Sequence, residues 1–226
     1  MNLHGGAQLG PGWIDASGLR LNGVGSCAEI PVVPVDTSSS FTVTAWARAS
    51  EPSDRPMAVS NAAGRKRSVF ALRFLSTPDD SEGFGRWEPT LPEADRTGAV
   101  TRQVSSREFF DVRDWNHLTV VYDSAAEQAR LHITGILQEF RCPDDDGDGE
   151  PDDSTCRDEV ARADAARMFR ADGPPQVGRA MSDTAGEYFA GPIDDIRVFR
   201  GALNESRVSW LPSHCFGLPT EVPAGN

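Results

Sequence analysis

Between Cys142 and Cys156 the chain reads CPDDDGDGEPDDSTC, with six aspartates and a glutamate separated by glycines. Carboxylates at that density repel one another unless a cation sits among them. Asp144, Asp146 and Asp148 recur at every second residue, Gly147 and Gly149 allow the tight backbone of a wrapping loop, and Glu150 and Asp152 follow where further ligands, direct or through water, would fall. The chemistry expected of this set is calcium binding. Magnesium keeps its waters and seldom uses a dedicated cage of carboxylates.

The loop resembles the D-x-D-x-D-G repeats of thrombospondin type 3 and dockerin modules, themselves EF-hand-like. It departs from a full EF-hand at the twelfth position, where counting from Asp144 gives Thr155 instead of a bidentate Glu, so Asp153 would have to substitute.

Four cysteines allow three pairings. Cys142 and Cys156 bracket the acidic loop, and joining them would hold its ends together for about 3 kcal/mol. Cys27 with Cys215 would then tie the first strands to the chain's end. CxxC spacing is absent and the four histidines are scattered, which argues against zinc. Two disulfides imply a secreted or cell-surface protein in an extracellular or periplasmic compartment. The opening MNLHGGAQLGPGW lacks the charged and apolar regions of a signal peptide, so the expectation is a chain that begins after a processing site or inside a longer protein. No apolar run is long enough to insert in a membrane. A net charge of −12 argues against nucleic acid as partner, because phosphates call for a basic face.

The elements that must position these residues read as strands. SFTVTAWARA (40–49), HLTVVYD (117–123), ARLHIT (129–134) and DIRVFR (195–200) alternate. LRLNGV (19–24), AEIPVV (28–33), PMAVSN (56–61) and SVFALRFL (68–75) are shorter strand segments. Gly, Pro, Ser and Asp clusters separate them, which indicates an all-β sandwich. Two stretches are expected to be helical: alanine-rich 157–171, and NESRVSWL after Leu203, capped by Asn204.

LRLNGVGSCAEIPV, FTVTAWARA, DWNHLTVVYD, ARLHITGILQEF and FAGPIDDIRVFRGALNESRV, taken in order, resemble the successive signatures of the concanavalin A-like lectin/glucanase superfamily, in its laminin-G-like branch. Gly191 to Asn204 reproduce the most specific segment almost position by position. The resemblance implies a concanavalin A-like jelly-roll β-sandwich of two curved antiparallel sheets, with loop insertions and one or two short helices. It fits the Cys27–Cys215 bridge, since first and last strands neighbour each other in that fold. The expected organisation is an N-terminal linker (1–16), one domain (17–216) with the acidic insertion 142–156, and a C-terminal tail (217–226). The polar region 78–107 reads as a second loop insertion. In the family the acidic pair at Asp194 contributes to a cation site with a polar residue of an early strand, here Asn22.

The glucanase relatives carry an E-x-D-x-E triplet on one strand, as a retaining mechanism requires. This chain has none, nor a Gly-x-Ser-x-Gly nucleophile, and His4, His117, His132 and His214 are dispersed. The expectation is a non-enzyme. A sugar needs a flat ring to stack on. Trp46 and Trp115 occupy the family's core positions and Trp210 anchors the C-terminal turn. Trp87, in the polar insertion, is the better platform candidate, with Tyr188 next to it in rank and Arg86 and Glu88 as hydroxyl partners. The expected function is a non-catalytic carbohydrate-binding or adhesion module stabilised by calcium, its partner a glycan or glycosylated protein. The alternative is a protein-interaction module of the same fold that contacts other subunits of a larger assembly without binding sugar.

The acidic loop yields the first prediction: calcium raises the melting temperature by mass action, and replacing Asp146 and Asp148 with Asn removes that increment. Calorimetry that shows no calcium binding to the wild-type chain contradicts it.

Overall fold

In the computed structural model of the chain, residues 1–14, 17–32, 35–76, 83–106, 110–140, 159–165, 168–181 and 186–213 are described. The expected calcium ligands Asp144, Asp146, Asp148, Glu150 and Asp152, and also Cys142, Cys156 and Cys215, lie outside these residues.

Twenty strands follow in chain order: β1 (Asn2–His4), β2 (Gln8–Gly10), β3 (Gly18–Asn22), β4 (Cys27–Glu29), β5 (Phe41–Ala47), β6 (Met57–Ala63), β7 (Ser68–Ser76), β8 (Phe84–Pro92), β9 (Thr101–Gln103), β10 (Phe110–Asp111), β11 (Asn116–Asp123), β12 (Gln128–Ile133), β13 (Ile136–Leu137), β14 (Glu139–Phe140), β15 (Glu159–Val160), β16 (Arg162–Asp164), β17 (Pro175–Val177), β18 (Arg179–Met181), β19 (Gly186–Tyr188) and β20 (Ala190–Arg200). Helix α1 (Glu205–Trp210) and a 3-10 turn (Leu211–Ser213) close the described chain. One sheet runs β1-β4-β17-β6-β7-β8-β10, with β9 beside β8. The other runs β13-β12-β11-β5-β20-β3-β2, with β16 beside β12. Neighbours pair antiparallel throughout, as in a jelly-roll sandwich. They are called here the β7 sheet and the β5 sheet.

Strand alternation decides what fills the space between the sheets. From β5 come Phe41, Val43, Ala45 and Ala47, from β11 Leu118, Val120 and Tyr122, from β7 Phe70, Leu72 and Phe74, and from β8 Trp87 and Leu91. The other set of β5 and β11 residues, Thr42, Thr44, Trp46, His117, Thr119 and Val121, faces outward on the β5 sheet yet is also buried. Part of that cover is α1, whose Val208 packs with Val121, Leu203 and Leu211. The Asn204 side chain caps the helix by accepting from the Arg207 N–H at 3.0 Å. Burial, together with the Arg197 charge, lowers His117 to about 4, and burial with Arg130 does the same for His132, so both rings are neutral near pH 7.

Three expectations are corrected. Residues 1–16 are not wholly linker, because β1 pairs with β4 and β2 with β3, one in each sheet. The glycines between them hide two short strands, of which β1 pairs across more than twenty residues and β2 with the next strand in the chain. Within 157–171 the described residues are not helical: β15 and β16 occupy 159–164, Ala161 and Ala165 being buried while Arg162 and Asp164 are exposed. The segment's period is two, and tertiary pairing overrides alanine's helix propensity. The region 78–107 is not simply an insertion, since β8 is a nine-residue strand paired along β7. Cys27, on β4 of the β7 sheet, is a buried free thiol, and Cys215, its expected partner, lies outside the described residues.

Trp87 is fully buried, edge-on to Phe74 with ring centres 4.8 Å apart. Its truncation to Ala is therefore expected to cost about 3–5 kcal/mol of stability through a core cavity. Urea denaturation that shows a loss below about 1 kcal/mol would place the ring elsewhere.

Candidate functional site

The face of the β7 sheet turned away from the core carries the other half of the strand alternation: Ala71 and Arg73 from β7, Arg86, Glu88 and Thr90 from β8. Two elements rise over this face. The β18–β19 hairpin lies across β6, tied to it by the Asn61 side-chain amide donating to the Arg179 carbonyl. Ala180 packs there on Ala58 and Ala71. On the other side, β9 and the turn before it flank β8. The turn is pinned by Asp95, whose carboxylate accepts the backbone N–H groups of Arg65, Lys66 and Arg67 at 2.7–2.8 Å.

The trough between them has a volume of about 170 Å³. Arg67, Ser68, Arg73, Thr90, Gln103 and Glu187 supply its polar lining, and Ala71, Pro92, Ala180 and Met181 its apolar surface. Two of the lining residues, Arg73 and Glu187, form an ion cluster with Glu88. The Arg73 guanidinium donates through Nε and Nη2 to Glu88 Oε1 at 3.2 and 2.7 Å, and through Nη1 to Glu187 Oε1 at 2.9 Å. Ser105 donates to the second Glu88 oxygen at 2.8 Å. All three charged side chains are close to nine-tenths buried. Burying one arginine between two carboxylates is tolerable only because each charge is met at short range. Removing one partner would leave an uncompensated charge. The cluster presents the Glu187 carboxylate as acceptor and the Arg73 guanidinium as donor toward the trough, which is the complement of a polyhydroxylated ligand. Both carboxylates already accept from the same guanidinium, an arrangement that holds them in place as hydrogen-bond acceptors.

Of the residues expected to bind sugar, only Glu88 is in this cluster. Trp87 is directed into the core, as alternation requires of the residue between Arg86 and Glu88. Arg86 is exposed on the outward face two residues further along β8. Tyr188 is on the side of β19 opposite Glu187, with the Arg179 guanidinium 5.8 Å from its ring centre, and does not line the trough. Arg73 and Glu187 escaped sequence reasoning because they are separated by more than a hundred residues and meet only through the hairpin.

The expected cation pair is not assembled. Asn22 stands opposite Ala190 in the β3–β20 ladder, whereas Asp194 lies four residues further on, opposite Trp46. The Asn22 side-chain oxygen accepts the N–H groups of Val24, Gly25 and Ser26. Asp194 Oδ2 accepts those of Trp13 and Ile14 at 2.7 and 2.9 Å, and Oδ1 that of Asp195 at 2.9 Å. A bulge at this point, with Asp195 at φ +46°, lets Asp195 pair with Arg197. Among the described residues no group of three metal-ligating side chains converges.

A larger open cleft of about 910 Å³ lies at the end of the sandwich where β5 begins and β20 ends. Its carboxylates are taken locally, Asp36 by the Ser38 hydroxyl and N–H and Asp172 by Arg65.

No curated protein matches the chain. Solved structures do, at low identity. Domain 4 of AbnA, a GH43 extracellular arabinanase from Geobacillus stearothermophilus in complex with arabinotriose, is 16% identical with a TM-score of 0.58, covering 92% of this chain and 82% of that one. The CBM40 of the Ruminococcus gnavus IT-sialidase is 16% identical with a TM-score of 0.59, covering 86% and 96%, and a further structure of it holds alpha2,3 sialyllactose. The binding domain of botulinum neurotoxin serotype D is 12% identical with a TM-score of 0.56, covering 93% and 45%. These likenesses establish a shared fold. The sequence profile of the concanavalin A-like lectin/glucanases superfamily, in its laminin-G type, matches residues 22–142, more than half of the chain, and the protein belongs to that family.

Proposed function

We propose that this domain is a non-catalytic carbohydrate-binding module whose site is the trough on the outward face of the β7 sheet. The observation that carries the reading is the buried Arg73–Glu88–Glu187 cluster, of which Arg73 and Glu187 line the trough together with Ser68, Thr90 and Gln103. Buried charges on the outside of a sheet are costly to maintain, and here they are aimed at a concavity of about the size of one or two sugar units. Structural neighbours that are carbohydrate-binding domains, one solved with arabinotriose and another with sialyllactose, support the same assignment. A retaining glycosidase needs one carboxyl free to give up a proton and another free to attack. Glu88 and Glu187 instead share one guanidinium, which supports binding over turnover.

The reading extends to the context of the domain. Calcium held by Asp144, Asp146, Asp148, Glu150 and Asp152 would stabilise the module. Secretion or surface display is supported by the extracellular arabinanase among its structural neighbours. In the described residues no helix is long and apolar enough to cross a membrane. The partner is a glycan or glycosylated protein.

The isolated domain is expected to bind neutral oligosaccharides with dissociation constants between about 1 μM and 1 mM, because shallow sites exchange well-hydrated hydroxyls for little net gain. Titration calorimetry with arabinotriose and a panel of neutral oligosaccharides, with calcium and with chelator, measures this. Glu187→Gln should weaken binding about tenfold while far-UV circular dichroism is unchanged. Hydrolysis of an arabinan or β-glucan by the purified domain would overturn the non-catalytic reading. Tight binding to an unglycosylated protein, insensitive to Glu187→Gln, would establish a protein-interaction module in its place.

A further inference from the structure

A second aromatic assembly stands on the opposite side of the sandwich, at the end of the β5 sheet. Trp46 projects outward from β5 and meets the His117 ring edge-on at 5.1 Å. Trp13 lies against Trp46 at 6.2 Å and is stacked on Trp115, ring centres 5.9 Å apart and planes 25° from parallel. The inner rings are buried, but Trp13 is 53% exposed and Trp115 partly so. The Arg48 guanidinium lies 5.3 Å from the Trp115 ring centre. No carboxylate pairs with it among the described residues, in a chain of net charge −12.

Trp13 is held firmly for a residue so near a terminus. Its backbone N–H and that of Ile14 both donate to Asp194, which is only 5% exposed. Two charge-assisted bonds to a buried carboxylate, together with the stack on Trp115, fix the indole before any ligand arrives, and so reduce the ordering cost of binding. A half-exposed indole on such a mount presents a flat apolar face. The Arg48 guanidinium at the neighbouring Trp115 ring, without a carboxylate partner among the described residues, repels a cation and offers two parallel N–H donors to a carboxylate.

We propose that Trp13, Trp115 and Arg48 form a second binding site, distinct from the trough, for a carboxylate-bearing sugar. The pyranose C–H face stacks on Trp13, and its carboxylate is met by Arg48. The charges in the trough neutralise one another, since all three Arg73 nitrogens donate to glutamates, whereas Arg48 supplies a positive charge with no carboxylate partner among the described residues. The two sites lie on outward faces of opposite sheets, so a module carrying both can bridge two glycan chains, with the gain in retention that two linked contacts bring.

The test uses the full chain with trigalacturonate and its neutral counterpart, a galactose trisaccharide, and in parallel 3′-sialyllactose and lactose. Tryptophan emission and calorimetry are the readouts. At least one acidic ligand should quench the emission and bind at least about tenfold more tightly than its neutral counterpart, with affinity falling as salt is raised. Arg48→Gln, which keeps the stack, should abolish the preference for the acidic ligand, and Trp13→Ala should abolish the quenching. Glu187→Gln, in the trough, should leave acidic-sugar binding unchanged, which separates this site from the first. Absence of binding by both acidic sugars overturns the proposal, as does binding unaffected by Arg48→Gln or lost in Glu187→Gln. If AMP binds more tightly than either acidic sugar and loses affinity in Arg48→Gln, the platform serves nucleotides and the assignment of a sugar is wrong.

Discussion

Successive side chains on a strand leave by opposite faces, and in a two-layer sandwich each sheet has one face committed to the core. Nearly everything of functional interest here follows from which set of residues each strand commits. On β8 the committed set is Trp87 and Leu91, so Arg86, Glu88 and Thr90 go outward. On β7 it is Phe70, Leu72 and Phe74, which sends Arg73 outward to meet Glu88. On β5 it is Phe41, Val43, Ala45 and Ala47, and Trp46 is left on the far side, where Trp13 and His117 pack on it. A register slip of one residue in β8 would bury Glu88 in the core and expose Trp87, at a cost no local interaction could repay.

The sandwich leaves its strand ends and connections to be fastened by polar side chains acting on backbone. Asp95 accepts three successive N–H groups from the β6–β7 turn. Burial opposes its ionisation, but those donors outweigh burial and hold its carboxyl below the ordinary value. Asp194 accepts three more and secures the N-terminal segment to β20, and Asn22 accepts three within its own turn. A carboxylate or amide oxygen that reads in sequence as a metal ligand can satisfy its lone pairs equally well on main-chain N–H groups. Which occurs is set by whether the backbone in front of it presents donors.

Much of the fold was legible because its long strands carry strict alternation. Phe41–Ala47, Asn116–Asp123 and Gln128–Ile133 each show it plainly, and the Gly191–Asn204 motif located the final strand and helix cap. Short strands such as Asn2–His4 and Gln8–Gly10 have too few residues for a period to register, and glycines around them look like linker. β8 was obscured by two prolines, which it accommodates because only short strands pair on its outer side. The candidate site was partly legible. Glu88 was singled out, but with a ring that alternation sends the other way. Strand alternation sends Trp87 into the core and its neighbours Arg86 and Glu88 outward. Arg73 and Glu187 carried no local signal, because their meeting depends on where the β18–β19 hairpin lands, and that is a property of packing. Trp13 was hidden for the same reason, its mount being an aspartate at the other end of the chain.

The central claim is that the outward face of the β7 sheet is a ligand surface. It is tested most directly by amide chemical-shift mapping of the isotope-labelled domain during titration with the neutral oligosaccharide that binds best. The account predicts saturable shifts concentrated at Ser68, Ala71, Arg73, Thr90, Gln103 and Glu187, around the ion cluster. Shifts confined to the cleft around Asp36, Arg170 and Arg200, with the β7 and β8 amides unmoved, would contradict it.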